Sequence, residues 1–278
     1  MSFERLLFGT AGVPLSTPKK NSPVEGVRRI HELGLDCMQL EFAHGVRMKE
    51  EVSSELRRVS YELNIPLTSH GPYYINLNAR EQDKIDSSIE RIIQTAKISD
   101  LCGAESMTFH AAFYMKDSPF DVFELVEKSM NVIEDRLSRL DIEIDLRPEL
   151  TGKTSQFGSL DELITLTHNV NSCKPCIDFS HLYARTGDYN NYEGFDMVLK
   201  RIKEELGEKS VENMHIHMSG ISSNSKGDLK HLNLADSEFN WKDCLRALKD
   251  HGARGYVICN SPNLEVDAQA MKEYYMAL

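Results

Sequence analysis

Six short β-rich stretches of this chain end in side chains that bind metals or carry protons. In order they are Thr68-Ser69-His70, Thr108-Phe109-His110, Arg147-Pro148-Glu149, Asp178-Phe179-Ser180-His181, His215-Ile216-His217 and Cys259-Asn260. Imidazole nitrogens and carboxylate oxygens together form the donor set of a divalent cation such as zinc, manganese or iron. One histidine alone is ordinarily a hydrogen-bonded core or loop residue. Histidines with two carboxylates at successive strand ends point instead to a shared site. Four of the ten histidines, His31, His44, His168 and His251, fall in predicted helices or loops and read as incidental. His231 lies in the loop after the seventh run. His215 and His217 have the same strand parity, so both can face one interior at different depths. His217 is nearer the C-terminal end and is the better ligand, leaving His215 as a satisfied core or supporting residue.

Those stretches belong to a larger alternation. β-rich runs cover residues 6–14, 37–43, 66–73, 106–113, 142–150, 173–181, 213–219 and 255–262, each ending in a glycine, proline or polar cluster. Between them apolar residues recur with helical spacing, as in Val52, Leu56, Val59 and Leu63 of 50–63. The same spacing marks 87–101, 122–140, 192–206, 241–250 and 266–276. Eight strand–helix units in this length predict a single (β/α)8 TIM barrel, an α/β fold spanning 1–278 as one domain. An open doubly wound sheet is disfavoured, because Phe8-Gly9-Thr10-Ala11-Gly12 is too short for the glycine-rich phosphate turn after its first strand. In a barrel the C-terminal strand ends converge on the face where active sites are built.

The 278-residue chain is 41% hydrophobic and 27% charged, a globular composition rather than a disordered one. With 32 basic against 43 acidic residues its formal charge is −11, the wrong sign for binding nucleic acid through bulk electrostatics. A local positive site stays open to it, since bound divalent cations neutralise clustered carboxylates. No apolar run approaches the ~20 residues that span a bilayer. The opening MSFERLLFGT places an acid where a secretory signal carries cations, so the expectation is a cytoplasmic protein with no membrane partner. Cysteines at 37, 102, 173, 176, 244 and 259 are expected as free, mostly buried thiols. Cys173-Lys174-Pro175-Cys176 has redox or zinc spacing, but no second such pair accompanies it and it opens a strand run, which favours a core role.

Ser69-His70-Gly71-Pro72-Tyr73-Tyr74-Ile75-Asn76-Leu77 resembles the His-(Ala/Gly)-Pro-Tyr signature of the endonuclease IV family. These are the metal-dependent abasic-site endonucleases of the xylose-isomerase-like superfamily. Phe109-His110, the Glu149 strand end, Ile177-Asp178-Phe179-Ser180-His181 and His217-Met218-Ser219 match the family's further motifs in the same order, across essentially the whole barrel. The resemblance implies a zinc cluster that hydrolyses the phosphodiester 5′ to an abasic site in double-stranded DNA during base excision repair. Carried over by position, His70, His110 and Glu149 hold one ion, and Glu149 bridges to a second held also by Asp178 and His217. His181 and His231 hold a third. Tyr73 and Tyr74 follow the third run, where the family inserts side chains into the duplex, a task that suits flat rings. The same resemblance implies a monomer.

Two positions depart from the family. Its last strand ends in a ligating glutamate, in a Glu-(Thr/Ser)-Pro context, where this chain has Asn260-Ser261-Pro262. Asn260 therefore stands beside Glu149 at the catalytic end as a neutral, weaker donor that cannot act as a base, so one ion is held weakly or activity is lowered. The family's Asp-x-His pair is replaced by Gly227-Asp228-Leu229-Lys230-His231, with an additional residue between acid and imidazole. His231 keeps the correspondence, and Asp228 reads as a solvated loop acid. The expected cofactor is two or three zinc ions, two being the safer count, with manganese as the alternative. A sugar isomerase or epimerase on the same barrel is the second functional reading. Such an enzyme commonly needs one divalent ion and two acid/base carboxylates; Glu149 could be one, and Asn260 occupies the place of the other. A metal-dependent binder without chemistry is the third reading.

Overall fold

The computed structural model describes residues 3–19 and 21–278. Local capping opens most of its helices. Ser22 accepts from the Glu25 amide ahead of α1 (Pro23–Glu32), and Ser118 accepts from the Asp121 amide ahead of α4 (Pro119–Ser138). Ser159 and Glu162 form a reciprocal capping box at the start of α5 (Leu160–Asn169). Asn191 and Asn240 cap α7 (Tyr192–Leu206) and α9 (Trp241–Asp250). Each cap satisfies an amide that the first helical turn leaves unpaired. The remaining helices are α2 (Glu50–Leu63), α3 (Gln82–Cys102), α6 (Phe179–Thr186), the short α8 (Glu208–Val211) and α10 (Glu265–Ala277). The periodic stretches 50–63, 192–206 and 241–250 coincide with α2, α7 and α9 residue for residue.

Eight parallel strands alternate with these helices: β1 (Leu6–Ala11), β2 (Cys37–Glu41), β3 (Leu67–His70), β4 (Ala104–Phe109), β5 (Asp145–Pro148), β6 (Cys176–Asp178), β7 (Met214–Met218) and β10 (Gly255–Cys259). Their order is β5-β4-β3-β2-β1-β10-β7-β6. The outer pair meets at the parallel bridges Leu146–Cys173 and Glu149–Cys176, which bring the sheet nearly to closure as a TIM barrel. An antiparallel hairpin, β8 (Gly220–Asn224) and β9 (Gly227–Leu232), is inserted between β7 and α9. Gly227 turns it with φ +102°, and a Cβ there would stand 2.0 Å from the Gly152 carbonyl oxygen, so only glycine lets the hairpin lie on the loop after β5. The Asp228 amide donates to that same carbonyl at 3.2 Å.

Two expectations are corrected. The run 173–181 yields a strand of only three residues, because the Asp178 carboxylate accepts from the His181 amide at 2.7 Å and caps α6 at once. His181 therefore lies in the first turn of a helix rather than on a strand. His231, expected in a loop, is on β9. The main apolar core packs between strands and helices, while the barrel interior carries polar side chains beside a small apolar cluster of Cys37, Tyr256 and Ile258. Gln39 on β2 and Ser106 on β4 each reach His215 on β7 at 3.0 Å. Neither strand neighbours β7 in the sheet, so these bonds cross the interior. The buried Arg147 guanidinium donates to the Asn213 side chain at 2.8 Å and to Asp145 at 3.0 Å. All six cysteines are free and buried. Among the described residues, no helix is long and apolar enough to cross a membrane.

Candidate metal centre

Glu149 leaves the end of β5 and is 2% exposed. Four imidazoles surround its carboxylate. His70 Nε2 is 3.2 Å and His217 Nδ1 3.4 Å from Oε2; His181 Nδ1 is 3.2 Å and His110 Nε2 3.5 Å from Oε1. Burial by itself would raise the carboxyl pKa, but His217 and His110 lead the imidazoles that hold it well below the usual carboxylate range. Two donor groups share this residue: His70, His110 and Glu149, and Glu149, Asp178 and His217. The atoms within each group lie within 4.8 Å of one another. A third pair stands beside them, His181 Nε2 and His231 Nε2 at 3.2 Å.

Backbone carbonyls orient three of the rings. Nδ1 of His70 donates to Gly71 at 2.7 Å, that of His181 to Leu150 at 3.0 Å and that of His231 to Asn260 at 3.0 Å. His70 thereby turns Nε2 to Glu149, while His181 and His231 turn their Nε2 atoms to each other, His181 keeping Nδ1 beside Glu149. His217 is reversed, with Nε2 against Gln39 Oε1 at 3.0 Å and Nδ1 facing Glu149. Burial opposes charge on His181, yet the Asp178 and Glu149 carboxylates push its imidazole up to about 9. Burial likewise opposes charge on His70, and Glu149 with Glu41 outweighs it. His231 is lowered by burial and by His181.

Among the described residues, the buried oxygens without a hydrogen-bond partner include Asp178 Oδ2, which has His181 Nδ1 at 3.4 Å, and Asn260 Oδ1. Asn260 Nδ2 is 3.2 Å from His217 Nδ1, which places the amide at the group of Glu149, Asp178 and His217. An unpartnered buried polar atom costs about 1–3 kcal/mol, and a cation supplies what these oxygens lack. The mixed imidazole and carboxylate donors fit zinc or manganese. Asp228 is half-buried rather than solvated. Its carboxylate stands 2.5 Å from where a Cβ of Gly152 would lie, and it is one of the charges that raise His181.

Tyr73 and Tyr74 stand at the rim, 54% and 60% exposed. The Tyr73 ring centroid is 5.5 Å from that of His70 and 6.1 Å from that of His110. His44, read as incidental, meets the Tyr74 hydroxyl at 3.2 Å. His215 is buried in the interior, and with Cys176 and His217 it forms a further donor group. Two residues of this region were not anticipated from sequence, Gln39 and Glu41. Their signal was two polar side chains of one parity in an otherwise apolar run. A cavity of about 480 Å³ opens beside them, lined also by Gly12, Phe42 and Arg47.

The sequence model of the xylose isomerase-like TIM barrel family matches residues 27–276. An uncharacterized protein of Methanocaldococcus jannaschii is 43% identical over 274 residues, 98% of either chain. A probable endonuclease 4 of Aster yellows witches'-broom phytoplasma is 25% identical over 186 residues, 66% of this chain and 62% of that relative. This chain thus spans less than two thirds of that relative's length. Among solved structures, endonuclease IV from Thermus thermophilus has a TM-score of 0.73 at 20% identity, covering 97% of this chain and 100% of that one. The 3-keto-D-glucoside 4-epimerase of E. coli has a TM-score of 0.70 at 14% identity, covering 99% and 100%. At such identities the two structures speak for the barrel alone. With the family match running through nearly all of the barrel, this chain belongs to the xylose isomerase-like TIM barrel family and counts endonuclease 4 proteins among its homologues.

Proposed function

We propose that the protein is a metal-dependent DNA endonuclease of the endonuclease IV type, hydrolysing the phosphodiester 5′ to an abasic site in duplex DNA. The observation that carries this reading is the gathering of four imidazoles around the buried Glu149 carboxylate, with Asp178, His231 and two unpartnered oxygens alongside. On this reading His70, His110 and Glu149 hold one cation, and Glu149, Asp178 and His217 a second, to which Asn260 adds a neutral oxygen. His181 and His231 hold a third. When bound, such cations would supply Lewis acidity toward the phosphodiester and would bring the ionisation of water toward neutral pH. The chain's own contribution is preorganisation. Glu149 stays ionised through the neutral range and belongs to both donor groups, while the anchored rings present their nitrogens without reorganisation. Tyr73 and Tyr74 offer exposed rings to the gap left by a missing base. The cations also reconcile a chain of charge −11 with a polyanionic substrate. A cytoplasmic monomer goes with this reading.

The test is nicking of a duplex oligonucleotide carrying one abasic analogue, by zinc-reloaded protein and by Asn260→Glu in parallel. Cleavage on the 5′ side, abolished by chelation, is the expected result. Activity confined to the variant would locate the defect at Asn260. Absence of cleavage by either, with zinc bound, transfers the centre to a sugar isomerase or epimerase.

A further inference from the structure

We propose that Gln39 is the positioning residue that decides which nitrogen of His217 faces the metal centre, and that Glu41 sets Gln39 in turn. The proposal rests on the reading of His217 as a metal ligand. Glu41 is the starting constraint. An ionised carboxylate only accepts hydrogen bonds, so the 2.8 Å contact between Gln39 and Glu41 Oε1 is made by the Gln39 amino group. The amide oxygen is thereby sent the other way, where His215 Nε2 and His217 Nε2 each lie 3.0 Å from it and the Thr68 hydroxyl 3.4 Å. An amide oxygen donates nothing, so both imidazole nitrogens are N–H groups. His217 is left with Nδ1 toward Glu149 at 3.4 Å and Asn260 at 3.2 Å. The remaining nitrogen of His215 accepts from the Ser106 hydroxyl at 3.0 Å and is used up within the core. One amide oxygen thus retires one histidine and aims the other.

His70, His181 and His231 are oriented by backbone carbonyls, which no side-chain substitution removes. His217 depends on a side chain. It is also the ring beside Asn260, so the group it serves has a neutral amide among its donors and less charge to hold a cation. A hydrogen-bonding partner that orients a metal-binding histidine is typically worth about 10–100-fold in metal affinity.

The experiment measures zinc affinity by competition with a chromophoric chelator and records side-chain nitrogen–proton correlation spectra of the imidazoles on the same samples. Gln39→Met keeps length and packing but loses the acceptor. It is expected to weaken one zinc equivalent by about 10–100-fold and to remove the single-tautomer signature of His217. The exchanged pair, Gln39→Glu with Glu41→Gln, restores an acceptor at 39 and a donor at 41 and is expected to recover both readouts. Glu41→Leu alters an exposed strand end, frees the Gln39 amide to rotate, and is expected to weaken zinc less than Gln39→Met. Unchanged zinc affinity and an unchanged His217 spectrum in Gln39→Met overturn the proposal and leave the metal reading standing. Weakening that the exchanged pair fails to restore assigns Gln39 to packing and also overturns it. If Gln39→Met does not fold, an unchanged affinity and spectrum in Glu41→Leu decide against the proposal. Wild-type protein that takes up no zinc overturns the metal reading and this proposal together.

Discussion

Proton release on zinc uptake tests the electrostatics of the centre. His181 has to offer an unprotonated Nε2 to a cation. Against the opposing effect of burial, the Asp178 and Glu149 carboxylates hold its imidazole at about 9. At pH 7 the ring is two units below that value, so a cation displaces a proton held by about 3 kcal/mol. The ring is only 5% exposed, and solvent does little to screen the interaction. The apparent affinity of the ion on His181 and His231 should therefore rise about tenfold per pH unit between about pH 6.5 and 8.5 and level off near 9. Titration calorimetry in two buffers of different ionisation enthalpy counts the protons. At least one should be released per protein at pH 7, and fewer as the pH approaches 9. Heats independent of the buffer, with affinity flat from about pH 6.5 to 8.5, would refute the assignment of charge. Stability follows the same linkage. The folded pKa lies above the ordinary 6.5, so in chelated protein the contribution is fully present below about pH 6.5 and lost as the pH rises through about 9. The Tm of chelated protein should fall over that window, and zinc-loaded protein should resist the fall.

Asn260→Glu should tighten the ion shared by Glu149, Asp178 and His217 by about tenfold or more, since a carboxylate replaces a neutral amide oxygen; zinc stoichiometry after dialysis reads the change. Arg147→Ala removes a buried guanidinium that donates to Asn213 and Asp145 and should cost about 3 kcal/mol in urea unfolding, while zinc binding at the far end of the barrel is retained. Tyr73→Ala and Tyr74→Ala should change stability by less than about 0.5 kcal/mol, because both rings are more than half exposed. On the proposed function each should weaken binding of an abasic duplex by about 1–3 kcal/mol, seen as a higher KM more than a lower kcat. The six buried thiols should be silent to a thiol reagent in native protein and all six should react in denaturant; a native reaction at Cys173 or Cys176 would reopen the redox reading of that pair.

The barrel was legible in the chain because parallel strands and their crossover helices leave two periods in the sequence, and the amphipathic stretches of α2, α7 and α9 show the helical one without interruption. The set His70, His110, Glu149, Asp178, His217 was legible as a gathering for a topological reason: in a closed parallel barrel every strand ends on the same face. Other elements escaped. The run 173–181 has the composition of one long strand, and only the Asp178 side chain, closing on the His181 amide, shortens it and hands His181 to a helix. The hairpin under His231 depends on Gly227 seating against Gly152, a contact between segments about 75 residues apart that no local pattern announces.

Gln39 marks the boundary between the two kinds of information. Its residue type, its parity with Glu41 and the donors of the remote histidines could all be read along the chain, since each is a property of covalent chemistry and strand period. Which end of its amide faces which neighbour could not. That depends on β2 and β7 meeting across a closed interior, where a carboxylate that only accepts, an amide that does both and two buried imidazoles have to satisfy one another. Local pattern therefore determined the inventory and the face of the barrel on which it collects. The orientation of each ring, and with it the chemistry the centre can perform, was decided only when the sheet closed and buried polar groups had to find partners.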